Sequence, residues 1–232
     1  MSDTARPLRA VLFDAYGTLL DVHGVARLGE TIFPGSGDAL SVLWREKQLQ
    51  YSWLRTMAGK YADFRQVTGD ALDYAAEKLG LALTRQAREQ LVGAYERLTP
   101  FPDAPPALAA VARLGVPLAV LSNGTSSMLE AAFRSTNLRD HFAALLSVEA
   151  AGHYKTSPEA YRIAMARFGG QPRDFVLVSS NGWDVAGAAH FGFRTFWVNR
   201  LGAPVERMGA APSAVGTSLA DLAPWLAAQT PT

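Results

Sequence analysis

The second half of the chain alternates between short, almost wholly apolar runs and helical stretches. The runs Val116–Leu121, Ala143–Val148, Phe175–Val178 and Phe193–Val198 read as buried strands. Interleaved with them, Leu108–Leu114, Met128–Thr136, Ser157–Phe168 and Gly182–Phe191 read as helices. The third of these opens with Ser157 as N-cap and Pro158 at the first helical position. Strands that are apolar along their whole length are buried on both faces, so the alternation predicts a parallel sheet with helices on both sides, an α/β fold. One further apolar run, Leu8–Phe13, lies far upstream and ends abruptly on Asp14, after which Gly17 and Thr18 turn the chain.

Between that first strand and the alternating half the pattern is helical. Leu40, Trp44, Lys47, Tyr51 and Leu54 fall on one face at ~100° per residue. Arg45, Leu49, Trp53 and Thr56 fall on roughly the opposite face. That second face suits either a pocket wall that tolerates an arginine, or a wide apolar stripe with a snorkelling Arg45. Phe64 follows in a short segment, and Asp70–Leu79 reads as a helix ended by Gly80. Thr84 is a candidate N-cap for a helix carrying Ala87, Leu91, Tyr95 and Leu98. A proline-rich stretch, Pro100–Pro106, closes the section. The expected organisation is a core of residues 1–19 and 98–232 with a helical insertion at 20–97. The Ala/Pro-rich end after Ala210 is expected to be partly loose.

Composition narrows the function classes. The chain has 232 residues and is 49% hydrophobic, enough for a packed core. Its 22 basic and 21 acidic residues leave a net charge of +1, so no global field draws it to nucleic acid or an anionic membrane. Cysteine is absent, which excludes disulfides and thiolate chemistry. The redox compartment is thereby left open, and the remaining features fit a cytoplasmic enzyme. The segment Met1–Pro7 lacks the apolar core of a signal peptide. No apolar run approaches the ~20 residues that span a bilayer. The four histidines, His23, His141, His153 and His190, show no metal-ligand spacing, and no cofactor or metal is expected.

Three apolar strands end in polar residues: Asp14, Ser122-Asn123 and Ser179-Ser180-Asn181. A parallel sheet brings such ends to one edge, where open α/β sheets place their chemistry. Lys155, just before the Ser157-Pro158 helix start, and Asp184, one turn inside the helix after Asn181, belong at the same edge. Singly, each has an ordinary explanation: a turn hydrogen bond for an Asp or a Ser-Asn, solvation for a lysine. Together they offer a carboxylate nucleophile, hydroxyl and amide donors, a cation and a second carboxylate.

Asp-Ala-Tyr-Gly-Thr-Leu at 14–19, Ser-Asn-Gly at 122–124, Lys155 and Ser-Ser-Asn-Gly-Trp-Asp at 179–184 resemble the haloacid dehalogenase superfamily. The stretch from Trp44 to Arg55 resembles the first long cap helix of its L-2-haloacid dehalogenases. The resemblance implies a Rossmann-like sheet core with an inserted helical cap, and hydrolysis of (S)-2-haloacids to (R)-2-hydroxyacids without a metal. Asp14 would attack the halogen-bearing carbon and form an ester. Lys155, Thr18 and donors around Ser122, with Asn123 beside it, would hold Asp14 and the substrate carboxylate. Arg45, with Asn181 and Phe64, would receive the halide ion. Tyr16, Leu49, Phe64 and Trp183 would enclose the apolar part of the substrate. Tyr161, Ser179 and Asp184 would orient Lys155 and the water that cleaves the ester. A homodimer is also implied. Glu46 departs from the subfamily, which often has glutamine there; a carboxylate at that position either pairs with Arg45 and weakens halide capture or points elsewhere, since adjacent helical residues diverge by ~100°.

These roles make physical sense: halide displacement builds negative charge on the leaving group, which a cation in a closed site stabilises. Lys155 offsets the repulsion between two anions, nucleophile and substrate carboxylate. The enzymatic rival is a phosphohydrolase of the same superfamily. Such enzymes carry Asp-x-Asp in the first motif, where Tyr16 stands here, and an acidic pair near Asp184 for Mg²⁺. A non-catalytic binding or dimerisation module is the second rival.

Overall fold

The structure, a computed structural model, describes residues 8–229. Met1–Pro7, where the sequence lacks the apolar core of a signal peptide, lie outside the described residues. Six parallel strands form one sheet: β1 (Ala10–Phe13), β2 (Leu118–Ser122), β3 (Ala144–Ser147), β4 (Phe175–Ser179), β5 (Arg194–Val198) and β6 (Ala214–Gly216). Their spatial order is β3-β2-β1-β4-β5-β6, so β1 lies at the centre with β2 and β4 on either side. Register aligns Phe13 with both Val120 and Val178. The three polar termini consequently lie side by side, and the Asp14 N–H donates to the Val178 carbonyl at 2.9 Å.

Successive residues of β1 serve opposite faces. Val11 and Phe13 join the larger apolar core, whereas Ala10 and Leu12 join a smaller one with Tyr161, Ala164, Phe175 and Ala188. Helices α5 (Ala104–Ala112), α6 (Ser126–Ser135) and α9 (Leu222–Ala227) contribute to the first core, and α7 (Pro158–Phe168) and α8 (Gly182–Phe191) to the second. Both faces of the sheet are thus covered, as its unbroken apolar strands require.

Four helices are inserted between β1 and α5: α1 (His23–Ile32), α2 (Gly37–Met57), α3 (Phe64–Lys78) and α4 (Arg85–Ala94). They pack on one another, α2 between α1 and α3. The chain leaves and re-enters the sheet region side by side, through an antiparallel bridge between Leu20 and Pro100.

Several boundaries differ from the sequence expectation. Helix α3 begins at Phe64 rather than Asp70, because the Asp63 side chain accepts the Gln66 N–H at 2.9 Å and caps it. The Thr84 cap forms as expected, with Ala87 as donor. Ser157 sits at the N-cap of α7 but its hydroxyl faces the Glu159 carboxylate and not a backbone N–H. The buried row of α2 is Leu40, Trp44, Gln48 and Ser52; Leu54 is 50% exposed and Lys47 reaches out to Gln50. Polar residues hold that row because they are internally satisfied: Gln48 bonds Arg45 and Thr68, and the Ser52 hydroxyl donates to the Leu49 carbonyl. The end after Ala210 is ordered in part, since it supplies β6 and α9, whose Leu222 and Leu226 are buried. Among the described residues, no helix is long and apolar enough to cross a membrane.

Candidate active site

Asp14 follows β1 directly and is 5% exposed. Gly17, at φ +85°, makes the turn that brings Thr18 back beneath the carboxylate. The two carboxylate oxygens have different company. Oδ2 accepts from Asn181 Nδ2 at 2.7 Å, Thr18 Oγ1 at 3.2 Å and, weakly, Ser179 Oγ at 3.4 Å. Oδ1 accepts from Lys155 Nζ at 3.2 Å.

Lys155 is wholly buried, in the loop before α7. Its ammonium also donates to Asp184 Oδ2 at 2.7 Å, and its backbone N–H to Asn123 Oδ1 at 3.0 Å. Asp184, also wholly buried, accepts from the Tyr161 hydroxyl at 2.9 Å. Burial opposes the charge on Lys155, but Asp14 and Asp184 outweigh it and raise its pKa above the ordinary value. Burial raises the Asp184 pKa; Lys155 works against this and Asp14 adds to it. Burial, then Asp184, drives the Tyr161 phenol well above its usual range, so it acts as a donor.

Nine side chains line a small cavity at this edge: Asp14, Tyr16, Arg45, Leu49, Phe64, Ser122, Asn123, Asn181 and Trp183. Every one was singled out from the sequence. The cavity measures about 10 Å³, roughly the space of one water. Tyr16 stacks on Phe64 with centroids 5.8 Å apart, and its buried hydroxyl has no hydrogen-bond partner among the described residues. Gly124 makes room for that ring, because a Cβ there would lie 2.8 Å from Tyr16 Cε2. Burial, reinforced by Tyr95, Glu96 and Asp14, raises the Tyr16 pKa far above its usual value, so the phenol stays neutral.

Arg45 and Leu49 reach this cavity from α2, which resolves the two readings of that face in favour of a pocket wall. Arg45 donates to Gln48 Oε1 at 2.7 Å, and Glu46 is exposed on another side of the helix. Ser122 lines the cavity, but its hydroxyl accepts the Gly124 N–H and makes no bond to Asp14. The Asn123 side chain holds the Lys155 backbone, and the Asn181 amide is engaged by Asp14 and the Tyr16 carbonyl.

The Lys155 ammonium bridges Asp14 and Asp184. Among the described residues no group of three or more His, Asp or Glu side chains is arranged to hold a metal ion.

The sequence profile of the family described as haloacid dehalogenase-like hydrolase matches residues 8–192. The chain belongs to the haloacid dehalogenase-like hydrolases. Within that family it is 43% identical over 212 residues to the (S)-2-haloacid dehalogenase of Pseudomonas sp. strain YL, covering 91% of each chain. A crystal structure of an L-2-haloacid dehalogenase superposes with a TM-score of 0.93 at 46% identity, over 96% of this chain and 100% of that one. The L-2-haloacid dehalogenase of Xanthobacter autotrophicus with chloropropionic acid covalently bound gives 0.90 at 39% identity, over 96% of this chain and 100% of that one.

Two supports of the site escaped the sequence reading. Gln48 passes the Arg45 contact on to Thr68, whose hydroxyl donates to the Phe64 carbonyl at 2.6 Å, so the arginine is tied to α3. Arg200, paired with Asp103 through both amino groups, donates to the Thr18 carbonyl at 3.2 Å and steadies the nucleophile turn. A glutamine four residues after Trp44 and eight after Leu40, in line with them on one helical row, was the one available signal for Gln48.

Proposed function

We propose that the protein is an (S)-2-haloacid dehalogenase that works through an ester on Asp14. The observation that carries this is the asymmetry of Asp14: among the described residues Oδ2 is bound by Asn181, Thr18 and Ser179, while Oδ1 has Lys155 alone. A carboxylate so fixed retains a nucleophilic oxygen, and Oδ1 is the freer one. In the first step Oδ1 attacks the substrate's C2 from the side opposite the halogen. The carbon–oxygen bond forms as the carbon–halogen bond breaks, and the pair leaves with the halide. Arg45, on the cavity wall, stabilises the charge that builds there. Water then adds to the ester carbonyl of Asp14. The acyl carbon–oxygen bond breaks, one water proton goes to the departing alkoxide oxygen to give the product hydroxyl, the other is released, and the water oxygen remains in the restored Asp14 carboxylate. One displacement at carbon converts an (S)-2-haloacid to an (R)-2-hydroxyacid.

Lys155 neutralises the approach of the anionic substrate, and Asp184 and Tyr161 hold it in place. No metal takes part in this scheme. Residues 20–97 act as the cap that closes over the sheet edge. Two copies associate through exposed apolar residues of the inserted helices, such as Val42 and Leu54; a single-subunit mass in sedimentation at micromolar concentration rules that out.

Halide release from both enantiomers of 2-chloropropionate, beside p-nitrophenyl phosphate hydrolysis, with and without exhaustive chelation, tests the reading. Chloride from the (S)-acid alone, undiminished by EDTA, is expected. Phosphate release restored by Mg²⁺ would put a phosphohydrolase in its place.

A further inference from the structure

Lys155 carries its charge on a flexible stem, so where the ammonium sits depends on how its backbone is held. Its own N–H is taken by Asn123, and the Ser157 N–H donates to the Tyr154 carbonyl at 2.9 Å, closing a turn around the lysine. Further holds on this turn come from the inserted helices and pass through Tyr154, whose side chain is wholly buried. The Tyr154 N–H donates to Thr56 Oγ1 at 3.1 Å, in the last turn of α2. The Thr56 hydroxyl donates in turn to the Ser52 carbonyl at 2.9 Å, which fixes its oxygen as the acceptor for that N–H. The Tyr154 hydroxyl donates to the Ala62 carbonyl at 2.6 Å, between α2 and α3. Its ring packs on Tyr61 and Phe64, with centroids 5.2 Å and 6.1 Å away.

We propose that Tyr154 is a positioning residue, through which the inserted helices set the place of Lys155 relative to Asp14; this rests on the dehalogenase reading above. Filling apolar space alone would be met by phenylalanine, whereas a buried phenol needs an acceptor and here finds one on the inserted segment. The residue next to the lysine is thus tied to partners 92 and 98 residues upstream. Phe64 also lines the reaction cavity, so the wall that meets the substrate and the turn that carries the lysine rest on one ring. Asn123 holds the turn from the sheet, and Tyr154 holds it from the helices. Of the two ammonium bonds, the one to Asp14 at 3.2 Å has less to spare than the one to Asp184 at 2.7 Å when the turn shifts.

Bromide release from (S)-2-bromopropionate by three variants tests this. Tyr154→Phe keeps the ring and loses the bond to Ala62. Thr56→Val keeps the shape and loses the acceptor for the Tyr154 N–H, whereas Thr56→Ser keeps that acceptor. With kcat taken per folded protein from circular dichroism, Tyr154→Phe and Thr56→Val lose about tenfold or more in kcat, the scale of a small misplacement, and KM rises. Thr56→Ser stays close to the unmodified protein in both. A role in packing alone lowers the thermal midpoint and leaves kcat per folded protein and KM unchanged; that result in either Tyr154→Phe or Thr56→Val overturns the proposal. So does a Thr56→Ser as slow as Thr56→Val. Thr56 is half-buried at a helix end, so the Thr56 pair decides the matter by itself if Tyr154→Phe does not fold. No bromide from the unmodified protein is a separate failure, that of the dehalogenase reading itself.

Discussion

Lys155 lies closer to Asp184 than to Asp14, at 2.7 Å against 3.2 Å. The ammonium is therefore anchored by a carboxylate that is itself held by Tyr161, and it leans towards the nucleophile from that anchor. Asp184→Asn removes the anchor and leaves the lysine tethered by Asp14 alone. Breaking a buried pair in this way costs about 3–5 kcal/mol of stability. The thermal midpoint should fall accordingly, and turnover should fall by about 100-fold or more as Lys155 is misplaced. Tyr161→Phe, which leaves both charges in place, should lower the midpoint far less. Equal effects of the two variants would deny Asp184 its anchoring role.

The order of bond making can be read from oxygen. Single turnover with excess enzyme in ¹⁸O-water should place the label in the Asp14 carboxylate and little in the first product. Stereochemistry does not distinguish the routes, since one displacement at carbon inverts the centre either way. Labelled hydroxyacid in the first turnover, with Asp14 unlabelled, would falsify the ester route and make Asp14 a base.

Arg45 is expected to matter through its charge, and Gln48 through its hold on that charge. Arg45→Ala should slow halide release by about 3–4 kcal/mol, the scale of a lost electrostatic stabiliser. Arg45→Lys should recover only part, because an ammonium cannot donate to Gln48 and reach the cavity in the same fork geometry. Gln48→Glu should slow the step more than Gln48→Leu, since the new carboxylate would neutralise the guanidinium that Gln48 now only orients. Rapid-quench rates for the first step decide it. Near-normal rates in Arg45→Ala would remove the arginine from the scheme.

The pH dependence of stability follows from groups whose pKa is raised in the fold. Burial raises the pKa of Tyr16, Tyr154 and Tyr161, and pushes Tyr61 up to about 12. For Lys155 burial acts the other way, but Asp14 and Asp184 prevail and raise it as well. The fold favours the protonated form of each, so their contribution is fully present below the unfolded values of about 10. It is lost as pH rises from there through the folded values, because the unfolded chain gives up its protons first. The thermal midpoint should be flat from pH 8 to 9 and drop by about 4 °C or more by pH 11. Tyr154→Phe should flatten the drop. A midpoint unchanged to pH 11 would show that these groups titrate normally in the folded protein.

The sequence by itself determined which residues end the strands and hence which groups meet. Apolar runs long enough to be buried on both faces permit only a covered parallel sheet, and such a sheet gathers Asp14, Ser122, Asn123, Ser179 and Asn181 at one edge. The motif resemblance brought Arg45, Leu49 and Phe64 to the same place from another part of the chain. Tertiary structure alone decided which of these groups bond to one another. Ser122 and Asn123 follow the same strand, yet one receives its own turn's N–H and the other holds the Lys155 backbone. Phe64 reads as part of a short segment before the helix until Asp63 is seen to cap α3. Gln48 and Arg200 are invisible to a count of apolar periods, because their partners, Thr68 and Thr18, lie 20 and 182 residues away. Periodicity reports where a side chain points relative to its own helix or strand. Which polar atom satisfies which is set by desolvation once the elements have packed, when every buried donor must find its acceptor wherever the chain has brought one.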